Sequence, residues 1–258
     1  MKTFYKIIAI AFAAASVFAS CSKDNTPYEP GKPAGDKDVY FSAGNPSTQV
    51  LNLSDTEFTV FIERNNASAA ESIPLTAWCD VPGIVTVPAS VDFAAGQEVA
   101  EIVIKLGEME PFKEYQMNIS IPEEYTQPYK EDAGSPQCGF VFYKEDYKTW
   151  KTGLLYDDFW SGETWEAKIE YSEMLDQYRL SDWFYPGINY VFKWDGDQKF
   201  SGAKQSTGLV DSTYGAVSAQ ISAGDTYFDK DKNVIYFGFT WTVSAGSFGV
   251  YYNVFYID

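Results

Sequence analysis

From residue 38 onward, apolar side chains recur at every second position in short runs, the period of a half-buried β-strand. Glu57 to Glu63 places Phe58, Val60 and Ile62 on one face, and Val99 to Leu106 places Ile102, Ile104 and Leu106 in register. Further strands are predicted at Val39-Tyr40-Phe41, around Ile73 to Cys79, from Ile84 to Val87, at Val91-Asp92-Phe93, through Tyr115, Met117, Ile119 and Ile121, and from Gly139 to Tyr143. Pro82-Gly83, Pro88 and Ala95-Gly96 punctuate them. Short strands at this spacing predict a β-sandwich over residues 38–145.

The same period continues beyond a change of texture at residues 144–150. Trp165, Ala167, Ile169 and Tyr171 share a face, as do Ile188, Tyr190, Phe192 and Trp194, after which Asp195-Gly196-Asp197 turns the chain. Tyr178-Arg179-Leu180, Tyr214 to Ile221, Asn233 to Val243 and Phe248 to Tyr256 complete the set, with Ile235, Phe237, Phe239, Trp241 and Val243 on one side. Runs joined by turns predict an antiparallel meander over 146–258, closed as a barrel or sandwich. With no long helical period after the N-terminus, the whole is read as all-β.

The first twenty residues follow another pattern. Lys2 and Lys6 precede an apolar run from Ile7 to Phe18, and Ala19-Ser20 leads into Cys21. A basic start, a run of about twelve apolar residues and small residues at the end is the layout of a secretory signal, too short for the roughly twenty residues of a membrane span. Phe18-Ala19-Ser20-Cys21 resembles the bacterial lipobox, with Phe18 where a branched aliphatic residue is usual. The resemblance implies that Cys21 is diacylated and anchors the chain to the outer membrane, since two acyl chains hold a protein where one is marginal. An ordinary cleavable signal with an incidental cysteine is the alternative. Residues 21–37 are rich in Pro, Gly and charge and are expected to form a solvated tether. Ser22-Lys23-Asp24-Asn25 resembles the surface-export signal of Bacteroidetes lipoproteins, with one acid, and implies the cell surface.

Composition narrows the chemistry. Aromatic residues make up 17% of the chain, with 19 Tyr, 19 Phe and 7 Trp, six of the Trp from Trp150 onward, a bias that favours strands. Net charge is −17, and loss of Lys2 and Lys6 with the signal leaves 17 basic against 36 acidic residues, a net of −19. Such a chain repels phosphate backbones, so nucleic acid is excluded as a partner. Histidine is absent, which removes Ser-His-Asp and Cys-His nucleophile systems and His-ligated zinc. No phosphate-binding glycine loop and no basic patch is present, and neither cofactor nor metal is expected. Cys79 and Cys138 remain beside Cys21. Outside the cytoplasm they could pair as a disulfide, or remain two separate thiols behaving as small hydrophobes.

Val39-Tyr40-Phe41, Phe58-Thr59-Val60 with Arg64, Val85-Thr86-Val87-Pro88 and Val91-Asp92-Phe93-Ala94-Ala95-Gly96-Gln97 together resemble the Calx-beta domain, over about a hundred residues. The resemblance implies an immunoglobulin-like sandwich. Some Calx-beta domains bind calcium through clustered carboxylates; Glu123, Glu124, Glu131 and Asp132 lie in a comparable region but do not match position by position, and a solvated loop is the simpler reading. The series Trp150, Gly153, Asp157-Asp158-Phe159, Trp165 and Tyr178-Arg179-Leu180 resembles the C-terminal domain of uncharacterised Bacteroides surface lipoproteins, which implies no activity.

Exposed aromatics are the leading candidates for function, because a flat apolar ring with a polar rim matches the C–H face of a sugar. Trp160, Trp183 and Tyr185 fall in segments that read as loops, near Gly162, Pro186 and Gly187, and are the expected ligand-binding residues, with Asp157, Asp158 and Asp182 nearby to hydrogen-bond hydroxyls. Core packing is the competing reading for these three. Trp165, Trp194 and Trp241 lie in phase with apolar neighbours and are expected inside. Asp229-Lys230-Asp231-Lys232-Asn233 opens like a calcium loop, but Val234 and Thr240 stand where Gly and Glu are required, so a hairpin turn is expected. The function these readings favour is non-catalytic capture of a polysaccharide by a surface lipoprotein. Adhesion to a surface protein is the second reading, and a carboxylate-dependent hydrolase the third.

Overall fold

The computed structural model describes residues 37–127 and 133–258. Cys21, the expected signal and most of the expected tether lie outside the described residues, as do Glu131 and Asp132. Strands make up nearly all the regular structure of the described residues, as the alternation predicts, and no helix among them is long and apolar enough to cross a membrane.

The first half runs β1 (Val39–Phe41), β2 (Thr48–Asn52), β3 (Glu57–Arg64), β4 (Glu71–Pro74), β5 (Thr76–Cys79), β6 (Val85–Thr86), β7 (Ser90–Phe93), β8 (Val99–Leu106), β9 (Tyr115–Ser120) and β10 (Gln137–Glu145). Two four-stranded sheets, ordered β1-β3-β8-β6 and β2-β10-β9-β5, face one another, with the small sheet β4-β7 beside them. The residues expected to point inward do so: Phe58, Val60, Ile62, Ile102, Ile104, Met117 and Ile119 are all buried in one cluster. Two features escape the sequence pattern. The strand expected from Ile73 to Cys79 is two strands, β4 pairing with β7 and β5 with β9, because the chain changes sheet at Pro74-Leu75. β2 has too little apolar alternation to be recognised and is held by parallel pairing to β10.

Of the two readings of Cys79 and Cys138, the structure holds the second: both thiols are free. Cys79 lies opposite Met117 on one side of β9, and Cys138 opposite Ile119 on the other. Two strand spacings separate their backbones by about 9–10 Å, beyond the roughly 7 Å a disulfide tolerates. Burial pushes both thiols above their ordinary pKa, so they are poor nucleophiles.

The second half runs β11 (Lys148–Asp157), β12 (Thr164–Ser172), β13 (Gln177–Ser181), β14 (Tyr190–Trp194), β15 (Phe200–Ser201), β16 (Gln205–Asp211), β17 (Gly215–Ile221), β18 (Tyr227–Asp229), β19 (Val234–Val243) and β20 (Gly246–Ile257). They form one ten-stranded sheet, ordered β15-β14-β13-β12-β11-β20-β19-β17-β16, with β18 added on β19. The sheet curls until its edges meet, and side chains close the seam. The Gln205 amide on β16 accepts from the Val191 N–H and donates to the Val191 carbonyl on β14, imitating a ladder pair. The Tyr190 hydroxyl donates to the Ala203 carbonyl and accepts from the Ile221 N–H. Inside lie Leu155, Ile169, Leu180, Tyr190, Phe192, Phe237, Phe239, Trp241 and Phe255. Trp241 is fully buried, while Trp165 and Trp194 are partly buried against the same cluster. Residues 229–233 form the expected hairpin turn, Asp229 accepting from the Lys232 N–H.

Residues 145–147 join the halves and are clamped to the outside of the β12-β13 hairpin. Arg179 makes paired bonds to Glu145 at 2.7 and 2.5 Å, a third to Glu170 at 2.6 Å, and lies 3.9 Å from the Tyr147 ring centroid. Asp146 accepts from the Ser172 hydroxyl and the Met174 N–H, and Gln177 donates to the Tyr147 hydroxyl. The clamp sits at one end of the barrel. Because the strands alternate in direction, the connections 158–163, 182–189, 212–214 and 244–245 all gather at the other.

Candidate functional site

This distal end is where Trp160, Trp183 and Tyr185 lie, so the structure brings the three candidates to one rim of the barrel. It treats them differently. Trp183 is fully buried, which corrects its assignment as an exposed platform residue. The cause is local: the Trp183 N–H bonds the Ile188 carbonyl and the Ile188 N–H bonds the Tyr185 carbonyl, so the 182–189 loop folds back on itself and turns the indole into the barrel mouth. There it packs on Phe239 at 4.7 Å, Tyr190 at 5.3 Å and Trp241 at 5.6 Å.

The indole N–H of Trp183 donates to Asn253 Oδ1 at 2.8 Å, and Asn253 Nδ2 donates to Asp157 Oδ1 at 2.7 Å. Trp183, Asn253 and Asp157 are all fully buried. Asp157 in turn accepts from the backbone N–H groups of Phe159, Trp160 and Ser161 and from the Ser161 hydroxyl. A carboxylate holding three successive N–H groups shapes the loop that follows it. Asp157 is thus committed to the fold and not available to a ligand, a second correction, whereas Asp158 and Asp182 are exposed.

The relay sets Trp160 at the surface, 37% exposed, beside Phe159 at 6.2 Å. Phe159 rests on Trp241 at 4.8 Å, Tyr251 at 4.5 Å and Phe248 at 5.5 Å, and Phe248 meets Tyr214 at 6.1 Å. Trp160, Phe159, Phe248 and Tyr214 therefore make a continuous aromatic row across the barrel end, with the half-exposed Tyr251 alongside. Trp241 carries a buried indole N–H that finds no hydrogen-bond partner among the described residues. Tyr185 stands on the adjacent loop, 51% exposed. Pro186-Gly187, with Gly187 at φ +81°, makes the type II turn that presents it. Its ring lies against Gly208, whose φ of +74° favours glycine and where a Cβ would come within 3.1 Å of both Tyr185 and Ile188. No ring contact joins Tyr185 to Trp160 among the described residues.

Sequence reading missed Tyr214, Phe248, Tyr251 and Asn253. Tyr251 and Asn253 sit in a strand whose two faces are both aromatic, which hides the period of two. Asn253 has no local signal, since both side chains it bonds are distant in sequence. Glu123 and Glu124 sit on a short 3-10 helix, and no group of three or more acids or thiols able to hold a metal occurs among the described residues.

No protein-family model matches the chain, and no curated protein does. Among solved structures it is similar to a Bacteroides ovatus protein of unknown function, at 10% identity, 85% of this chain, 92% of the other and a TM-score of 0.33. It is similar to the calcium binding domain CBD12 of CALX1.1 at 11% identity, 85% of this chain, 75% of the other and a TM-score of 0.32. An auxiliary nutrient binding protein from Bacteroides thetaiotaomicron aligns at 9% identity, 82% of this chain, 90% of the other and a TM-score of 0.26. Likenesses of this grade carry no argument about function.

Proposed function

We propose that this chain is a non-catalytic binding lipoprotein, anchored through Cys21 at the outer face of the cell, that captures a glycan at the distal end of its C-terminal barrel. The carrying observation is the aromatic row of Trp160, Phe159, Phe248 and Tyr214, with the Trp160 loop fixed from below by the Trp183–Asn253–Asp157 relay. Fixed aromatic rings bind at low entropic cost, because nothing need be ordered when the ligand arrives. The exposed carboxylates of Asp158 and Asp182 lie beside the loops and can accept from sugar hydroxyls. The end that carries the row is opposite the end held by residues 145–147, where the first half joins.

A glycan-panel screen of the chain, with Trp160→Ala and Tyr185→Ala beside it, tests the reading. Trp183→Ala is not a test of contact, since it removes the relay. Binding that falls in the Trp160 or Tyr185 variant supports the platform. Binding to no glycan, or binding indifferent to both variants, rejects it. One observation favours the alternative of adhesion to a protein. β5 and β6 end their respective sheets, and between them runs a groove of about 560 Å³ lined by Leu75, Trp78, Val85, Val87 and Pro88, with Trp78 58% exposed. Loss of binding to a surface protein in Trp78→Ala would support it.

A further inference from the structure

The barrel's outer wall carries a second aromatic surface that lies in none of the loops. Along β19, β20 and β11 the inward positions Ile235, Phe237, Asn253, Phe255 and Leu155 are fully buried, so the residues between them face out. Strand register then sets Tyr227, Tyr236, Val254 and Tyr156 in one row across β18, β19, β20 and β11. A neighbouring row holds Asp229, Val234, Tyr256 and Leu154, and Tyr252 stands opposite Gly238 on the other side. Tyr236, Tyr156, Tyr252 and Tyr256 thus surround Val254, and Tyr227, the fifth tyrosine of the wall, stands beyond Tyr236.

Their packing shows in the valines. Val254 is 7% exposed and Val234 3%, yet neither belongs to the cluster inside the barrel. Register places Val254 between Tyr236 and Tyr156, and Val234 beside Tyr256. Tyr227 and Tyr236 stack at 4.7 Å with planes 15° apart. Tyr227, Tyr256 and Leu154 keep 42, 46 and 45% of their surface exposed. Beyond Leu154 the uncharged wall ends at a depression of about 630 Å³ whose lining includes Glu166, Lys168, Asp182 and Asp258.

Charge selects the occupant. In a chain of net charge −17 these rows contain one charged side chain, Asp229, and Lys232 pairs with it at 2.8 Å. A polyanion finds no counter-charge here, and a second copy would bring its own −17 against this one. A cationic partner would find acids elsewhere on the surface but none free on this wall. The phenol hydroxyls of the five tyrosines make no hydrogen bond to one another or to other described residues, so donors and acceptors are free for a ligand rich in hydroxyls. Flat rings flanked by free hydroxyls, without charge, match the C–H faces and hydroxyl edges of sugar rings.

We propose that this wall is a second docking surface, taking an uncharged polysaccharide chain laid flat across β18, β19, β20 and β11. It rests on the glycan reading above and extends it from one end of the barrel to its side. Native electrophoresis of the whole chain through gels containing amylopectin, galactomannan or hydroxyethyl cellulose, with polygalacturonate as the charged polymer, tests it. At least one neutral polymer should retard the chain and polygalacturonate should not. Tyr227→Ala and Tyr256→Ala, at positions exposed enough to leave the fold intact, should each weaken retardation by about tenfold. Tyr227→Phe, which keeps the ring, should weaken it less. Trp160→Ala separates the two sites. Retardation lost in Trp160→Ala but unchanged in both wall variants overturns the wall and leaves the distal site standing. Retardation lost in the wall variants alone supports the wall and removes the distal site. Retardation by no neutral polymer, or by polygalacturonate only, overturns the wall whatever the distal site does.

Discussion

Asn253→Ala is the sharpest test of how the distal end is built. Asn253 satisfies two fully buried groups at once, the Trp183 indole N–H and one oxygen of the Asp157 carboxylate. Truncation leaves the indole donor without a partner, at a cost of about 1–3 kcal/mol, and removes a bond to a charged group, about 1.5–3 kcal/mol. Since the site sits under the Trp160 loop, some relaxation or water entry offsets part of this, and the expected loss is about 3–4 kcal/mol. Urea unfolding measures it as a fall in midpoint at unchanged slope. Trp183→Phe removes the donor itself and should cost less than Asn253→Ala. The double variant should recover about 1 kcal/mol or more of coupling. Hydrogen exchange of the Phe159, Trp160 and Ser161 amides should speed up in Asn253→Ala, because the carboxylate that holds them loses its own support. A loss below about 1 kcal/mol with those amides still protected would refute the claim that the relay holds the loop.

Other consequences follow from the same physics. Trp241→Phe removes a buried N–H that has no partner, so it should cost less than Trp183→Phe by about 1–2 kcal/mol, read by the same unfolding curves. Arg179→Met leaves Glu145 buried without its cation and Glu170 with Lys168 alone, and should cost about 3–5 kcal/mol. Burial pushes the Glu170 carboxyl up, but bonds from Lys168 and Arg179 outweigh it and hold its pKa below the ordinary value of 4.5. Its contribution is therefore present above that value and lost as the pH falls through the folded pKa, a loss Glu170→Gln should abolish in acid titration. Burial raises Tyr190 to about 12, against bonds from Ile221 and Gln205 that lower it. Its contribution is complete below the ordinary value of 10 and gone as the pH passes the folded value, about 3 kcal/mol in all, and Tyr190→Phe should flatten the alkaline limb of stability. Both Cys79 and Cys138 should titrate as free thiols in the folded chain, the partly exposed Cys79 reacting before the buried Cys138; a crosslink between them in non-reducing peptide maps would contradict the register of β5, β9 and β10.

Alternation alone determined much of this protein. A period of two in Glu57–Glu63, Val99–Leu106 and Asn233–Val243 says strand, and says which side chains turn inward, because one buried face and one wet face leave a local trace. The absence of histidine and the net charge acted the same way, excluding chemistries before any coordinate. Tertiary structure decided what depends on partners far along the chain. Trp183 reads as a loop residue, and only the loop's own backbone bonds, with Asn253 arriving from 70 positions away, make it core. Asp157 looks like a candidate ligand until Asn253, 96 residues on, occupies it. Ile73 to Cys79 divides into two strands because two different sheets compete for it, and β2 exists because β10 pairs with it. The tyrosine wall is the clearest case. Its residues lie on four strands, and what unites them is register, which is fixed by hydrogen bonds between strands and leaves no mark on any one of them.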